Sequence, residues 1–466
     1  MRAEGAAIHL SECILVHGLP RFARNDGMWF LRLSKGHQKD IFMKFGVLGK
    51  SLPHTYSPQI HKEFADYEYT ILERTEDQVR AIFEGAENLD GFNVTIPYKK
   101  LAASLCKGLS PAAKEIGAVN TVVALPGGGF SGDNTDVFGF TFMLTNAGID
   151  VAGKNCLVLG TGGASAAVNY ALKQMGAGSI SFCSRTGQIN YENVYVAAAG
   201  TQIIINTTPV GMFPEIDNSP IDLSQFKKLE AAADIVYNPS RTKFLQQAQE
   251  LGLKTAGGLS MLVAQAYKAS EIFKAARSAV AEPVEAQGPQ TSPNAGQGLV
   301  VPEALEGPQQ EEINTVIEKL QNQMLNITLI GMPGSGKTTL GKKLAKEKGR
   351  TFVDLDDAFK EEYGITPAQC ITQKGEDEFR KMETQIAKKI LPQSGLVIAT
   401  GGGIVTRKEN WFYLRANSKV IYIERPLEFL LKQDTSNRPL SQNNRIEELY
   451  KKRTPLYEQL CDEKTE

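Results

Sequence analysis

Residues 326–345, NITLIGMPGSGKTTLGKKLA, set an apolar strand, a glycine turn and a lysine-led helix in a row. Gly331, Gly336, Lys337 and Thr338 fill every fixed position of the phosphate-binding pattern G-x-x-x-x-G-K-[ST], in the strand-to-helix context that the pattern requires. Glycines let the backbone N–H groups of Gly334, Ser335, Gly336, Lys337, Thr338 and Thr339 converge on phosphate oxygens, and the helix N-terminus adds its positive end. Lys337 reaches the β- and γ-phosphates, and Thr338 offers a hydroxyl to Mg²⁺. The rival reading, a glycine turn that happens to precede a lysine, leaves the flanking strand and helix unexplained. A nucleoside triphosphate site therefore lies behind more than 300 residues of other sequence.

At ~100–200 residues per domain, the 466 residues make about three compact units. Basic and acidic side chains number 51 and 52, so no charge excess points to nucleic acid. The six cysteines, at 13, 106, 156, 183, 370 and 461, are too scattered for a metal or redox motif. They read as reduced thiols of a cytoplasmic protein. No apolar run nears the ~20 residues that cross a bilayer. The N-terminus lacks the basic–apolar–cleavage order of a signal peptide.

From Lys44 to about Phe273, strand-like runs such as KFGVLG, NCLVLG and QIIINTT alternate with helical stretches, the pattern of an α/β fold with a mostly parallel sheet. Residues 276–325 change character. They are rich in Pro, Gly, Gln and Ala without aromatics and read as a flexible linker, with a short helix over EEINTVIEKLQNQML. From 326 to 466 strand and helix alternate again. Residues 1–42 match no usable pattern. We read them as an extension ahead of a natural start at Met43, with a small cap on the first domain as the alternative.

What accepts the phosphoryl group is readable downstream of the phosphate loop. In TFVDLDDAFKE, Asp354 and Asp356 are two apart, which on an extended strand puts them on one side, one carboxylate for Mg²⁺ and one for an acceptor hydroxyl. Two acids favoured at a helix N-terminus are the plainer alternative. In GEDEFRKMETQIAKKI, Arg380 and Glu383 are neighbours on one helix face. LVIATGGGI brings Gly401, Gly402 and Gly403 to a strand end, where backbone can approach a ligand.

Together with the lid NRPL and the run KKRTPLYEQL, these pieces make residues 326 to about 461 resemble shikimate kinase. The resemblance implies a P-loop, nucleoside-monophosphate-kinase-like α/β domain. It gives Asp356, Arg380 and Arg453 to shikimate, Asp356 to the attacking hydroxyl and Asp354 to Mg²⁺. It gives Gly402 and Gly403 to the acceptor wall, and Arg438 to charge on the transferring group. Two departures stand out. Leu431 and Lys432 occupy the region where the family often carries a second lid arginine. The family also continues past YEQLCDEKTE with a strand, an adenine-contacting loop and a helix, so the domain reads as shortened at its end.

The front half offers its own glycine turn. NCLVLGTGGASAAVNYALKQMGAGSISFCSRT is strand, turn, helix and strand, with Gly160, Gly162, Gly163 and Ala164 at the turn. The second strand ends in Ser184, Arg185 and Thr186 rather than a carboxylate, which favours the 2′-phosphate of NADP. Upstream, GFNVTIPYKK supplies Asn93, Thr95 and Lys99, GAVNTVV supplies Asn120, and GDNTDVFGF supplies Asp136. Taken singly, Lys99 is an exposed lysine and Asp136 a helix cap. Their order, with SLPHTYSP before and GGLSMLVAQA after, resembles shikimate dehydrogenase across nearly all of 44–273.

That resemblance implies a substrate domain at 43–150, completed by 258–275, and a Rossmann NADP domain at 151–257. It makes Lys99 and Asp136 the catalytic pair, and leaves open which is the formal proton donor. Thr55 and Ser57 would take the substrate carboxylate, with Asn93, Thr95, Asn120, Tyr237 and Gln265 around the ring. The two resemblances together imply a bifunctional enzyme that uses NADPH, then ATP and Mg²⁺, on 3-dehydroshikimate and shikimate, with no nucleic-acid or membrane partner and homo-oligomerisation open. The alternative is a quinate/shikimate dehydrogenase whose weakened or inactive kinase domain acts as a pathway regulator.

Overall fold

The computed structural model describes residues 22–25, 28–31, 44–53, 55–281, 308–432 and 445–466. It divides into two units, Met1–Met43 and Lys44–Glu466. In the first, Phe22–Asn25 and Met28–Leu31 pair as an antiparallel ribbon.

The second unit contains three sheets. The first runs in the order Glu68–Glu73, Lys44–Gly49, Gly91–Val94, Thr121–Ala124, Phe130–Asp133, Gly108–Leu109. Thr121–Ala124 is antiparallel to both of its neighbours, so the start of that strand meets the ends of the other two. Asn93 opposes Thr121, and Thr121 opposes Asp133. This register gathers Asn93, Asn120 and the approach to Asp136 at one sheet edge. Lys99 opens the helix Lys99–Leu105, and Asp136 opens the helix Asp136–Asn146.

The second sheet is fully parallel, in the order Ser179–Cys183, Asn155–Leu159, Ile203–Asn206, Ala231–Asp234, Lys254–Gly257. Gly160 follows the strand at which chain order reverses, the point where open α/β sheets leave a crevice. The link from Arg185 to the next strand contains only the one-turn helix Val194–Ala197. The third sheet is also parallel: Phe352–Asp354, Val397–Ala399, Asn326–Ile330, Ser418–Ile423, Glu463–Thr465. Its last strand, Glu463–Thr465, lies within the stretch YEQLCDEKTE itself and pairs along Ile421–Ile423. Asp354 and Asp356 do not share a strand face either. Asp354 ends its strand and caps the helix Leu355–Tyr363, taking the Asp356 N–H at 3.0 Å.

The stretch 276–325, expected to be a flexible linker with a short helix over 311–325, carries two helical segments among its described residues. Gly258–Ala281 extends into it, and Pro308–Met324 forms a helix of its own. Ile313, Val316, Leu320 and Met324 recur at helical spacing and are buried. They share one cluster with Ile60, Phe64, Phe138, Val263 and Tyr267 of the front half. Low average hydrophobicity hid a well-formed apolar stripe. Only Leu325 separates this helix from the strand Asn326–Ile330. Arg350 donates to Leu325 O at 2.7 Å, and the Gly395 N–H donates to Met324 O at 2.8 Å. The last carbonyls of the helix are thus satisfied by the P-loop domain itself. The exposed Lys319–Glu63 pair, 2.7 Å, adds little beside the apolar burial.

If the stripe is part of the front-half core, Leu320→Ala destabilises the unit by about 2–5 kcal/mol. Urea unfolding followed through the full-length chain measures this, and an unchanged midpoint contradicts it.

Candidate functional sites

Two clefts take shape at the sheet edges just described. The first is a cavity of ≈ 920 Å³ between the two front sheets. Lys99 and Asp136 pair on its wall, Nζ to Oδ2 at 2.6 Å, both largely shielded from water. Asn120 donates to the other Asp136 oxygen at 2.9 Å. Its own carbonyl accepts the Thr135 N–H at 2.7 Å, so the amide is locked in orientation. Asn93 donates to Thr121 Oγ1 at 3.1 Å and accepts from the Tyr69 hydroxyl at 2.7 Å. His61 stacks on Tyr69, rings 4.0 Å apart, and burial pushes its pKa down to about 3. It therefore serves as a neutral packing ring at ordinary pH.

Ser57, Thr95, Tyr237 and Gln265 complete the polar wall. Thr55 is not on that wall but bonds Ser57, Oγ to Oγ at 3.1 Å. Gly162, Gly163 and Ala164 line the opposite side at the start of the helix Gly163–Gln174. Gly160 adopts φ +101°, a left-handed value that suits glycine, and its N–H donates to Cys183 O at 2.8 Å. That bond ties Ser184, Arg185 and Thr186 beside the turn, although they lie outside the cavity wall. Arg185 and Thr186 are exposed there.

Sequence reasoning missed Tyr56, which meets Tyr237 edge-on at 6.2 Å, as well as Thr207 and Thr208. It also missed Pro392, Gln393 and Ser394, which reach this cavity from the P-loop domain. No local signal marks them, since only the packing of distant segments brings them there.

The second cleft lies at the carboxyl ends of the third sheet. Lys337 is buried and donates to Gly331 O and Met332 O, both at 2.9 Å. Thr338 donates to Asp354 Oδ2 at 2.8 Å. A hydroxyl and a carboxylate at the head of a phosphate-loop helix are the hard oxygen donors that suit Mg²⁺. Beyond them Arg380 and Arg453 are both buried, and Arg380 pairs with Glu383 at 2.7 Å and with Glu376 at 3.3 Å. This pair is an interior one, not a surface contact. A Cβ at Gly403 would overlap the Arg380 guanidinium, which is why the strand end needs glycine there. Gly402 presents its carbonyl to the Tyr457 hydroxyl, a contact the sequence did not reveal.

Charge in this second cleft is unbalanced. Burial and the neighbouring Arg380 hold the Arg453 guanidinium below its usual pKa. The Nε atoms of both arginines are buried without a partner. Such donors are costly unless an anion meets them. Asp356 keeps an exposed face on the cleft. Burial, with Asp354 and Glu383 nearby, pushes its pKa up to about 6. Arg438 lies outside the described residues.

These geometries can be set against known proteins. The family model "Shikimate dehydrogenase substrate binding domain" matches residues 47–122. A shikimate dehydrogenase (NADP(+)) of Clostridium perfringens is 38% identical over 248 residues, 49% of this chain and 91% of the relative. The chain belongs to the shikimate dehydrogenase family. Another such dehydrogenase, from Caldanaerobacter subterraneus, is 36% identical over 247 residues, 48% of this chain and 88% of the relative. The crystal structure of a chorismate mutase/shikimate 5-dehydrogenase fusion protein from Clostridium acetobutylicum superposes with a TM-score of 0.51 at 30% identity. That superposition covers 60% of this chain and 97% of the other. The family model for shikimate kinase matches residues 333–465. The chain is thus a dehydrogenase–kinase fusion, with the first cleft in its dehydrogenase half and the second in its kinase half. Among the described residues no helix is long and apolar enough to cross a membrane.

If the two buried guanidiniums bind the carboxylate of a ring acid, Arg453→Met weakens shikimate binding to the kinase half about 10- to 100-fold, the loss of a hydrogen bond to a charged group. Titration calorimetry with the isolated variant measures this. Unchanged affinity at that site removes Arg453 from the assigned role.

Proposed function

We propose that the dehydrogenase half reduces 3-dehydroshikimate to shikimate with NADPH, and that the kinase half phosphorylates shikimate to shikimate 3-phosphate with ATP and Mg²⁺. What carries the reading is the Lys99–Asp136 pair, 2.6 Å apart on a cavity wall opposite the glycine turn. NADPH supplies the hydride. As negative charge grows on the ketone oxygen, the Lys99 ammonium stabilises it and passes a proton to it, directly or through water. Asp136 holds the ammonium in place, and Asn120 holds Asp136. Ser57, backed by Thr55, takes the ring carboxylate, while Asn93, Thr95, Tyr237 and Gln265 surround the ring. Gly162, Gly163 and Ala164 give the pyrophosphate of the cofactor an exposed helix N-terminus, and Ser184, Arg185 and Thr186 suit its 2′-phosphate.

In the kinase half, Arg380 and Arg453 grip the carboxylate, and Asp356 accepts the proton of the attacking hydroxyl. Gly334 to Thr339 cradle the phosphates, with Lys337 turning from its own loop carbonyls to the γ-phosphate. Thr338 and Asp354 would hold Mg²⁺, whose role is to neutralise phosphate charge. Positioning and charge neutralisation supply most of what phosphoryl transfer needs. The decisive experiment offers 3-dehydroshikimate, NADPH and Mg-ATP together and detects shikimate 3-phosphate by mass. Its absence contradicts the proposal.

Lys99→Ala lowers reduction about 10²- to 10⁴-fold while shikimate phosphorylation stays within about twofold. Steady-state assays of both activities measure this, and parallel loss of the two contradicts separate sites.

The raised pKa of Asp356 fixes the sign of a pH effect. Below about 6 the carboxyl is neutral and cannot take the hydroxyl proton, and above it the carboxylate can. Kinase kcat/KM therefore rises with pH through about 6. A flat profile across that range contradicts the role.

A further inference from the structure

The dehydrogenase cavity is not walled by the dehydrogenase half alone. Pro392, Gln393 and Ser394 line it, on the turn between the kinase helix Glu376–Ile390 and the strand Val397–Ala399. Two fully buried asparagines hold that turn. Asn326 donates to Leu391 O at 3.0 Å and to Gln393 O at 2.7 Å. Asn417 donates to Gln393 O and to Ser394 Oγ, both at 3.0 Å, and its own carbonyl accepts the Ser240 N–H at 3.3 Å.

Ser240 belongs to the cofactor lobe, two residues beyond Asn238 on the cavity wall. The contact continues next door. The Arg241 N–H donates to Ala416 O at 2.9 Å, and the Arg241 guanidinium donates to Ser418 O at 2.6 Å. On its other side the turn shares the cavity wall with Tyr56, the neighbour of Ser57 in the substrate lobe, and the Ser394 hydroxyl lies close enough to act on the phenol. Burial raises the Tyr56 pKa, and the Ser394 hydroxyl offsets part of that rise.

One short turn of the kinase half therefore lines the dehydrogenase cavity beside the substrate lobe and is joined to the cofactor lobe through Asn417. A buried amide with every bond satisfied fixes position rather than adding much net stability.

We propose that the kinase-borne turn Pro392–Ser394 is a working wall of the dehydrogenase cleft, pinned to the cofactor lobe through Asn417 and set against Tyr56 of the substrate lobe. It fixes how closely the two lobes grip the ring acid between them. Ser394 and Asn417 are positioning residues, acting through Tyr56 and Ser240. The inference rests on the dehydrogenase activity proposed above.

The test uses the full-length chain with Ser394→Ala, Ser394→Thr and Asn417→Ala. Loss of one hydrogen bond raises the dehydrogenase KM for 3-dehydroshikimate about fivefold in Ser394→Ala and at least as much in Asn417→Ala. Dehydrogenase kcat stays within about twofold, and Ser394→Thr, which keeps the hydroxyl, stays near the parent value. Kinase turnover of each sample reports whether the back half is folded. Where Asn417→Ala loses kinase turnover as well, Ser394→Ala decides. A dehydrogenase KM unchanged in Ser394→Ala, with kinase turnover intact, overturns the proposal. A parent chain that fails to reduce 3-dehydroshikimate at all contradicts the functional reading instead.

Discussion

A cation can be held in a cleft shielded from water only if an anion or a fixed dipole stands beside it, and both halves of this chain are organised around that constraint. In the first cleft Lys99 and Asp136 satisfy each other, and Asn120 saturates the second carboxylate oxygen. In the proposed reading this pair supplies the proton for reduction. In the second cleft Glu383 pairs with the buried Arg380 guanidinium and also feels the charge of the buried Arg453. Arg380 is met by Glu383 and Glu376, whereas Arg453 makes no ion pair among the described residues. In the proposed reading the two sites meet a small ring acid with opposite strategies, one stabilising charge that develops and the other gripping charge already there.

The elements that position these groups were largely legible. Strand, glycine turn and helix at Gly160 and at Gly331–Thr338 follow from local pattern, because backbone geometry there depends on glycine and on short-range periodicity. Lys99, Asn120 and Asp136 could be nominated by motif order, and the antiparallel register at Thr121 brings them together. The misreadings came where local averages or spacing hid the outcome. Composition argued for a linker over 276–325, yet four apolar residues at helical spacing suffice to dock Pro308–Met324. The two-residue spacing of Asp354 and Asp356 suited a strand, but Asp354 prefers to cap a helix. Tyr56, Tyr457 and Ser394 carry no local signature, since their roles arise from packing between segments distant in sequence.

The fusion is consequently more than two enzymes on a string. Helix Pro308–Met324 sits in the dehydrogenase core and runs, after a single residue, into the first strand of the kinase sheet. Helix Glu376–Ile390 carries Arg380 near its start and leads to the turn that walls the dehydrogenase cavity near its end. At 1.5 Å per residue, Arg380 and Pro392 are separated by roughly 18 Å of helix and turn. The product of one site is the substrate of the other in the proposed sequence, so this rigid spacing gives the two reactions a fixed geometry.

The central claim is that both clefts of one chain accept the same ring acid. Titration calorimetry of the full-length protein with shikimate tests it most directly. The account predicts two sites per chain, one lost in Lys99→Ala combined with Ser57→Ala and the other in Arg380→Met combined with Arg453→Met. No binding, or a single site indifferent to one of these pairs of changes, would contradict it.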